Sequence, residues 1–209
     1  MAKKDKNNKI LTITLAIIIC LATITLIYVN LSENVDNTNN GNTSNEIENV
    51  LTVVYADIQD FYNFEDIENL DSITGYGGYR TSYPSIKGQG TYTGVPIEFF
   101  VESIAGKIEN YSLIVHSDDG ILIENKTYNY SIIQGNLNIY NSTNASDSTP
   151  VGTGGVEMII CYKANNEYLD ESKDGKIKIA FINENNELIT ASNLWWKYVF
   201  SIEIKLDLT

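Results

Sequence analysis

The sequence has 209 residues, and 27 acidic against 14 basic side chains give a net charge of −13. This excess of negative charge excludes a protein that binds nucleic acid by neutralising phosphates. Cys20 and Cys161 are the only cysteines, which excludes a disulfide-stapled scaffold, and an apolar fraction of 43% excludes a fully disordered chain. The charge is uneven: residues 1–9 carry +3, and the other residues carry −16.

The first predicted element is a membrane-spanning helix over residues 10–29. These 20 residues carry no charge, and 20 residues of helix cross about 30 Å of hydrocarbon. Lysines precede the segment and acids follow it, so we expect residues 1–9 in the cytoplasm and everything after about Asn30 outside. The sequence therefore predicts a single-pass signal anchor in the cell membrane.

Two alternatives to an uncleaved anchor are a cleaved signal peptide and lipidation at Cys20. Cleavage needs a shorter apolar core and a small-residue exit, but bulky residues continue to Tyr28. Lipidation needs a small residue before the cysteine, and Ile19 is large. Both alternatives are less favoured than the anchor.

The next two segments are a linker and a single extracytoplasmic domain. Residues 30–49 are polar, acidic and without periodicity, which is typical of a flexible linker. Residues 50–209 are long enough for one domain with one core.

Seven Asn-x-Ser/Thr sequons are compatible with an outward-facing domain: Asn30, Asn42, Asn110, Asn125, Asn129, Asn141 and Asn144. The abundance of Asn, Ile and Lys is typical of AT-rich prokaryotic genomes, archaeal ones among them.

Alternating or continuous apolar runs predict the strands of this domain. They cover residues 51–56, 111–117, 128–133, 156–162, 176–182 and 197–208. The run at 156–162 is apolar on both faces, which indicates a central strand. The run at 176–182 alternates, with Ile177, Ile179 and Phe181 on one face. The last run also alternates, which indicates a half-buried strand. Its predicted inner face consists of Tyr198, Phe200, Ile202, Ile204, Leu206 and Leu208.

Capping signals mark two helices between the strands. Asn63 can cap a helix over residues 64–70, with Asp66 at the capping-box position. Pro96 suits the first position of a second helix, and Gly106 can end it. The apolar face of the second helix would be Ile97, Phe100, Val101 and Ile104. The fold class that follows is a β-rich α+β domain, with residues 141–155 as a surface loop.

Several motifs follow one another in an order that resembles a known family. They are Phe64-Glu65-Asp66-Ile67-Glu68-Asn69-Leu70, Gly75-Tyr76-Gly77-Gly78-Tyr79-Arg80, Gly94-Val95-Pro96-Ile97, Ser117-Asp118-Asp119-Gly120 and Leu194-Trp195-Trp196-Lys197-Tyr198-Val199. In this order they resemble the oxidoreductase molybdopterin-binding domain, the fold of sulfite oxidase, over about residues 50–206. The resemblance implies a mixed-sheet α+β domain of that type, preceded by the transmembrane helix.

The departures from the family concern its chemistry. Catalytic members hold molybdenum through a cysteine thiolate before the Gly-Val-Pro helix, but residues 79–90 contain no cysteine. The arginine-rich loop of the family is reduced to Arg80. Cys161 lies among apolar neighbours and is therefore expected to be a buried thiol and not a metal ligand. We expect no cofactor and no metal, and the alternative is a bound molybdopterin. If molybdopterin is bound, the resemblance implies that Arg80, His116 and Lys197 contact its anionic groups.

Other polar motifs have structural interpretations that outweigh the functional ones. His116 is the only histidine, which excludes a multi-histidine metal site, and no Gly-x-Ser-x-Gly turn accompanies it. A half-buried histidine near a strand end is favoured. Asp118-Asp119 and the acids at 170–174 could offer oxygen ligands to calcium, but they lack the EF-hand spacing and are more typical of turns.

Tyrosines interleaved with glycines supply the candidate ligand site. Tyr79, Tyr83 and Tyr92 could line a groove that binds a small molecule or peptide by stacking and hydroxyl hydrogen bonds, although a packed surface loop is favoured. Three functions remain open. The leading one is a non-catalytic binding or interaction module at the cell surface. The others are a molybdopterin-dependent oxidoreductase with an altered site and a structural surface protein.

Overall fold

Two mixed sheets contain most of the residues that the computed structural model describes, which are 48–83, 85–144, 147 and 149–207. These residues belong to one compact unit. The predicted cytoplasmic tail and anchor, and the linker up to residue 47, lie outside the described residues. No helix within the described ranges has the length and apolarity needed to span a bilayer.

The described elements are predominantly strands, with short helices between them. The strands are β1 (Asn49–Tyr55), β2 (Ile58–Asn63), β3 (Ile73–Arg80), β4 (Ile86–Pro96), β5 (Tyr111–Asp118), β6 (Ile123–Tyr128), β7 (Asn138–Asn141), β8 (Gly152–Thr153), β9 (Glu157–Ala164), β10 (Glu167–Tyr168), β11 (Lys178–Asn183), β12 (Leu188–Ala191) and β13 (Val199–Leu206). The helices are α1 (Phe64–Asn69), α2 (Ile97–Ala105), α3 (Tyr130–Ile133) and α4 (Glu171–Asp174), with a 3-10 turn at Ser192–Leu194. The predicted β-rich α+β fold with mixed sheets is confirmed.

The first sheet has five strands in the order β2-β1-β13-β5-β6, in which only β1 and β13 are parallel. One face is apolar and packs on the core, since Leu51, Val53, Leu113, Val115, Ile202 and Ile204 are almost fully buried. The other face carries half-exposed residues, among them Ile114 and His116. This sheet is therefore covered on one side only.

The second sheet has eight strands and closes on itself. Its main order is β10-β9-β11-β3-β12-β7-β8, and β4 pairs with both β3 and β9. Strands β3, β4, β9 and β11 thus form a ring. Strand β11 is a member of this ring and is paired along both edges. All six of its residues are buried, so the predicted single apolar face of residues 176–182 is too simple.

The helices confirm the capping signals. Asn63 accepts a hydrogen bond from the Asp66 amide, Asp66 accepts one from the Asn63 amide (both 2.9 Å), and α1 follows directly. Helix α2 starts at Ile97, with Pro96 at its N-cap, and ends at Gly106, which has a φ of 70°. Its inner face packs against β1, β2, β4 and β9.

Two strand predictions are corrected by local hydrogen bonding. Residues 128–133 are not one strand, because the Asn129 side chain accepts a hydrogen bond from the Ile132 amide and starts helix α3. The last strand contains a register shift between Val199 and Ser201. Val199 and Ser201 are therefore buried, whereas Phe200 is 40% exposed. The predicted inward face is wrong at Phe200 and at Leu206, which is 49% exposed, and right at Ile202 and Ile204.

Candidate functional site

The tyrosine-rich segment forms the hairpin of β3 and β4, and its glycines make room for aromatic rings. A Cβ at Gly77 would lie 2.9 Å from the ring of Tyr92 and 3.0 Å from that of Trp195. Gly88 has a φ of 61°, and a Cβ there would lie 2.7 Å from the Tyr79 ring. The absence of side chains at these two positions lets both tyrosines fold against the sheet.

Tyr79, Tyr92, Trp195 and Lys178 form one group, here called the aromatic–lysine cluster. The Trp195 ring centroid lies 5.3 Å from that of Tyr79 and 5.0 Å from that of Tyr92. The Lys178 Nζ lies 5.0 Å from the Tyr92 centroid and 6.0 Å from that of Trp195. These distances are within the range of cation–π attraction. Two of the three predicted ligand-site tyrosines are thus joined by residues from β11 and the segment after the 3-10 turn.

The polar side-chain atoms of Tyr92 and Trp195 form hydrogen bonds within the protein. The Tyr92 hydroxyl donates to the Gly88 carbonyl oxygen at 2.5 Å, and the Trp195 indole N–H donates to Thr190 Oγ1 at 2.8 Å. Burial raises the pKa of Tyr92 far above its usual value, with a smaller contribution from Cys161. Tyr92 is only 5% exposed and therefore stays a neutral phenol in the core.

Lys178 is a buried cation whose charge is balanced by Asp174 in helix α4. Its Nζ lies 3.1 Å from Asp174 Oδ1, and Lys197 Nζ lies 3.0 Å from the same oxygen. Burial alone would raise the pKa of Asp174, but the hydrogen bond from Lys197 and the charge of Lys178 outweigh it and lower that pKa. The Asp174 carboxylate thus forms ion pairs with both lysines. Lys197 also donates a hydrogen bond to the Lys173 carbonyl oxygen at 2.9 Å.

Cys161 adjoins this cluster from β9, where it pairs in register with Lys178. It is fully buried, and its thiol donates to the Lys163 carbonyl oxygen at 3.2 Å. Burial raises the pKa of this thiol to about 12, although the charge of Lys178 partly opposes the shift. A thiol in this state does not fit the thiolate ligand that molybdenum needs. Within the described ranges, no group of three His, Cys, Asp or Glu residues is arranged to hold a metal.

The other predicted site residues have separate neighbours. Arg80 ends β3 with its guanidinium carbon 5.8 Å from the Tyr140 ring centroid. Its Nε is buried and has no hydrogen-bond partner among the described residues. His116 lies on the outer face of the five-stranded sheet, with its ring centroid 6.2 Å from that of Phe200. Tyr83, in the β3–β4 turn, is 81% exposed and stands apart from the packed tyrosines.

A cleft of about 250 Å³ borders the cluster beside Lys197. Its lining residues are Ser117, Asp119, Leu122, Glu124, Trp195, Trp196, Lys197 and Tyr198. Trp196 donates from its indole N–H to Ser117 Oγ at 2.9 Å, and Tyr198 has a left-handed φ of 53°. Trp195 is 9% exposed and Trp196 is partly buried, so both consecutive tryptophans contribute to packing.

The acidic turns have backbone partners. Asp118 Oδ1 accepts from the Gly120 amide at 2.8 Å, and Asp119 Oδ1 accepts from the amides of Ile121 and Leu122 at 2.9 and 3.0 Å. These bonds lower the pKa of Asp119. Asp170 caps helix α4 and binds Lys173 at 2.6 Å. The carboxylates at both turns hold the backbone in place, which agrees with the turn interpretation.

Sequence reasoning missed Lys178 as a member of the cluster and Thr190 as the hydrogen-bond partner of Trp195. The signal for Lys178 was present, because it is the one charged residue inside the apolar run 177–182. On a strand with one solvent-exposed face, a lysine at this position is expected to point to solvent. Only the closure of β11 into the ring of strands makes it a buried charge that needs a carboxylate.

Comparison with known proteins gives weak structural similarity and no family. No family model and no curated protein matches the chain. The chain is similar to the sulfane dehydrogenase SoxCD from Paracoccus pantotrophus, with a TM-score of 0.49 and 14% sequence identity. The match covers 75% of this chain and 38% of that chain, so the present chain spans well under half the length of its neighbour.

Proposed function

We propose that the chain is a membrane-anchored extracytoplasmic domain with a sulfite-oxidase-like fold that binds a ligand or a partner and does not catalyse a redox reaction. The observation that carries the proposal is the state of Cys161. Its thiol is buried, and burial raises the pKa of this thiol to about 12. Metal ligation requires an accessible thiolate, and this thiol is neutral at physiological pH. The family resemblance in the order of motifs supports the fold, and the missing cysteine at 79–90 supports the loss of chemistry.

The packing around Tyr92 also supports a binding role. In the region where the family resemblance places a cofactor, Tyr92 and Trp195 are packed together over Lys178, and their polar atoms are used internally. The cleft beside Lys197 provides accessible surface next to them, and Trp195 is among its lining residues. These features are suited to contact with a ligand or a protein surface more than to the enclosure of a large cofactor.

Metal and pterin analysis tests this proposal. The full chain is purified from a host that makes molybdenum cofactor and is supplied with molybdate. We expect molybdenum far below one atom per chain and no pterin fluorescence after oxidative release. Stoichiometric molybdenum with pterin would overturn the proposal, and loss of that metal in Cys161→Ser would identify the ligand.

One observation favours a second candidate, an oxidoreductase with an altered cofactor site. The buried Nε of Arg80 has no hydrogen-bond partner among the described residues, and such an atom can serve a bound anion. Under this alternative, replacing Arg80, His116 and Lys197 by alanine abolishes retention of a pterin. Lys107→Ala is the matched control, because its side chain is 89% exposed and distant in sequence from all three. Equal pterin content in all variants would remove the alternative.

The predicted topology has its own test. Lys107→Cys places a thiol on an exposed side chain of the domain, in a chain whose Cys161 is buried. A membrane-impermeant maleimide added to intact cells should label this variant as fully as it does after lysis. Labelling only after lysis would contradict the extracytoplasmic location.

A further inference from the structure

The five-stranded sheet ends in two exposed edges, and β6 is one of them. Its six residues pair regularly with β5, without a register shift, and its burial pattern is exposed except near Tyr128. In the eight-stranded sheet the terminal strands β8 and β10 have only two residues each. Long unpaired edges invite pairing with another strand. Edges β2 and β6, with six residues each, are therefore the candidates.

The charges on β6 are complementary to those of a second copy of the same strand. Two copies of the strand can pair antiparallel about a two-fold axis perpendicular to the sheet. Opposed residues then lie on the same face, so the axis lies midway between the two copies of one residue. An axis at Asn125 and an axis at Lys126 each pair five residues of the strand. With the axis at Asn125, Glu124 of each copy opposes Lys126 of the other. With the axis at Lys126, the two lysines oppose each other, which is unfavourable.

Both charges are available for such pairing. Within the described ranges, neither Glu124 nor Lys126 has an ion-pair partner. Lys126 contacts only aromatic faces, with Nζ 5.5 Å from the Trp196 centroid and 5.6 Å from that of Tyr128. Glu124 is exposed. The other edge, β2, has Asp60 as its one charged residue, so no register of self-pairing places a cation opposite this carboxylate.

The turn before β6 supplies apolar surface for the same contact. Ile121, Leu122 and Ile123 are 90%, 59% and 65% exposed, and the hydrogen bonds of Asp119 hold this turn in shape. With the axis at Asn125, Leu122 comes opposite residue 128 and Ile123 opposite residue 127 of the second copy. The exposed turn then packs on the second copy, and much of its apolar surface leaves water.

We infer that β6 is a self-association edge, at which two copies of this chain join their five-stranded sheets antiparallel about Asn125. The inference goes beyond the proposed binding role and does not depend on the absence of a cofactor. The occupant is a second copy of the chain, because the charge pattern of β6 matches itself in this one register.

Disulfide trapping tests the register. Asn125→Cys is made in the full chain with Cys20→Ser, and the buried Cys161 stays in place. Opposed Cα atoms in antiparallel strands lie about 4.5–5.5 Å apart, which a disulfide spans. We expect an oxidised dimer that increases along a concentration series. Thr127→Cys is the matched control: it lies two residues from the axis, so the two cysteines are about 14 Å apart and should stay reduced.

Charge reversal tests the chemistry. Glu124→Lys alone should lower the association constant about fivefold or more, since it opposes two lysines on each side of the axis. Combining it with Lys126→Glu restores opposite charges and should restore the dimer. Each variant is checked for a native thermal transition. The inference would be overturned if Asn125→Cys formed no more crosslinked dimer than Thr127→Cys, or if the natively folded double variant did not restore the dimer. A glycan on Asn125 would overturn it as well.

Discussion

Removing Asp174 should destabilise the domain far more than removing the lysine that it neutralises. Lys178 is 6% exposed, and its Nζ lies 3.1 Å from Asp174 Oδ1. In Asp174→Ala this ammonium stays buried over Tyr92 and Trp195 without a carboxylate. Loss of one partner of a buried pair costs about 3–5 kcal/mol. The Asp174 side chain is 22% exposed, so we expect the lower end, about 3 kcal/mol.

Lys178→Met should have a much smaller effect. The methionine side chain keeps the apolar contact with the two rings and removes the buried charge, while Asp174 retains Lys197 at 3.0 Å. The loss of one partner of a buried pair is costly when the other charge is left alone, but Asp174 keeps an ion pair and is 22% exposed, so we expect a change below about 1 kcal/mol. The two partners of one ion pair therefore differ in what their removal costs.

Urea unfolding of the full chain in mild detergent, followed by tryptophan fluorescence, measures both free energies of unfolding. In a thermal scan, about 3 kcal/mol corresponds to a fall in Tm of about 6–12 °C for a domain of this size. Lys173→Ala is the surface control, because Lys173 pairs with Asp170 at a side-chain exposure of 75% and its loss should leave the free energy of unfolding close to that of the wild type. Equal losses in Asp174→Ala and Lys178→Met would refute the reasoning, and so would an effect of Asp174→Ala no larger than that of the control.

Three further changes in stability are expected, each measured by the same unfolding assay. Gly94→Ala should cost several kcal/mol, because its Cβ would overlap the Ile160 carbonyl oxygen across β9, whereas Gly152→Ala meets only ordinary contacts and should be tolerated; similar losses in both would contradict this. Asn63→Ala should cost about 1 kcal/mol through loss of the capping box, and an unchanged midpoint would show that the cap is dispensable. Because the pKa of Asp174 is lowered in the folded state, its contribution is present above the ordinary carboxyl pKa and is lost as the pH falls through the folded value. Acidification from pH 7 to below 4 should therefore destabilise the wild type more than Asp174→Ala, and equal losses would disprove this linkage.

Local signals predicted the elements whose structure is decided locally. The Asn63 and Asp66 pair and the Gly106 terminus define two helices through hydrogen bonds that lie within a few residues. The same kind of bond at Asn129 was overlooked, and it replaces the end of a predicted strand by helix α3. The hairpin of β3 and β4 was not predicted as strands, because glycine has low strand propensity and these glycines are explained only by the rings that pack on them.

The candidate site depended on pairing between distant strands, which a single sequence does not specify. The sequence placed Tyr79 and Tyr92 in one group, and the structure joins them through Trp195. It also predicted a surface-facing side for the strand that contains Lys178. That side is covered because β11 pairs with β9 and β3 in a closed ring. Burial of Lys178 is thus a consequence of topology, and so is the requirement for Asp174.

The balance of charge around Trp195 and Trp196 bears on the choice between a binding module and a cofactor enzyme. Three lysines approach this segment: Lys126 and Lys178 over the indole rings, and Lys197 within the segment. Three carboxylates lie in the same region. Asp174 binds two of the lysines, and Asp119 and Glu124 line the neighbouring cleft. An anionic cofactor needs an excess of positive charge that the protein has not already neutralised. Lysines and carboxylates are equal in number here, so under the proposed binding role we expect this surface to bind a neutral ligand or a protein partner more tightly than a pterin phosphate.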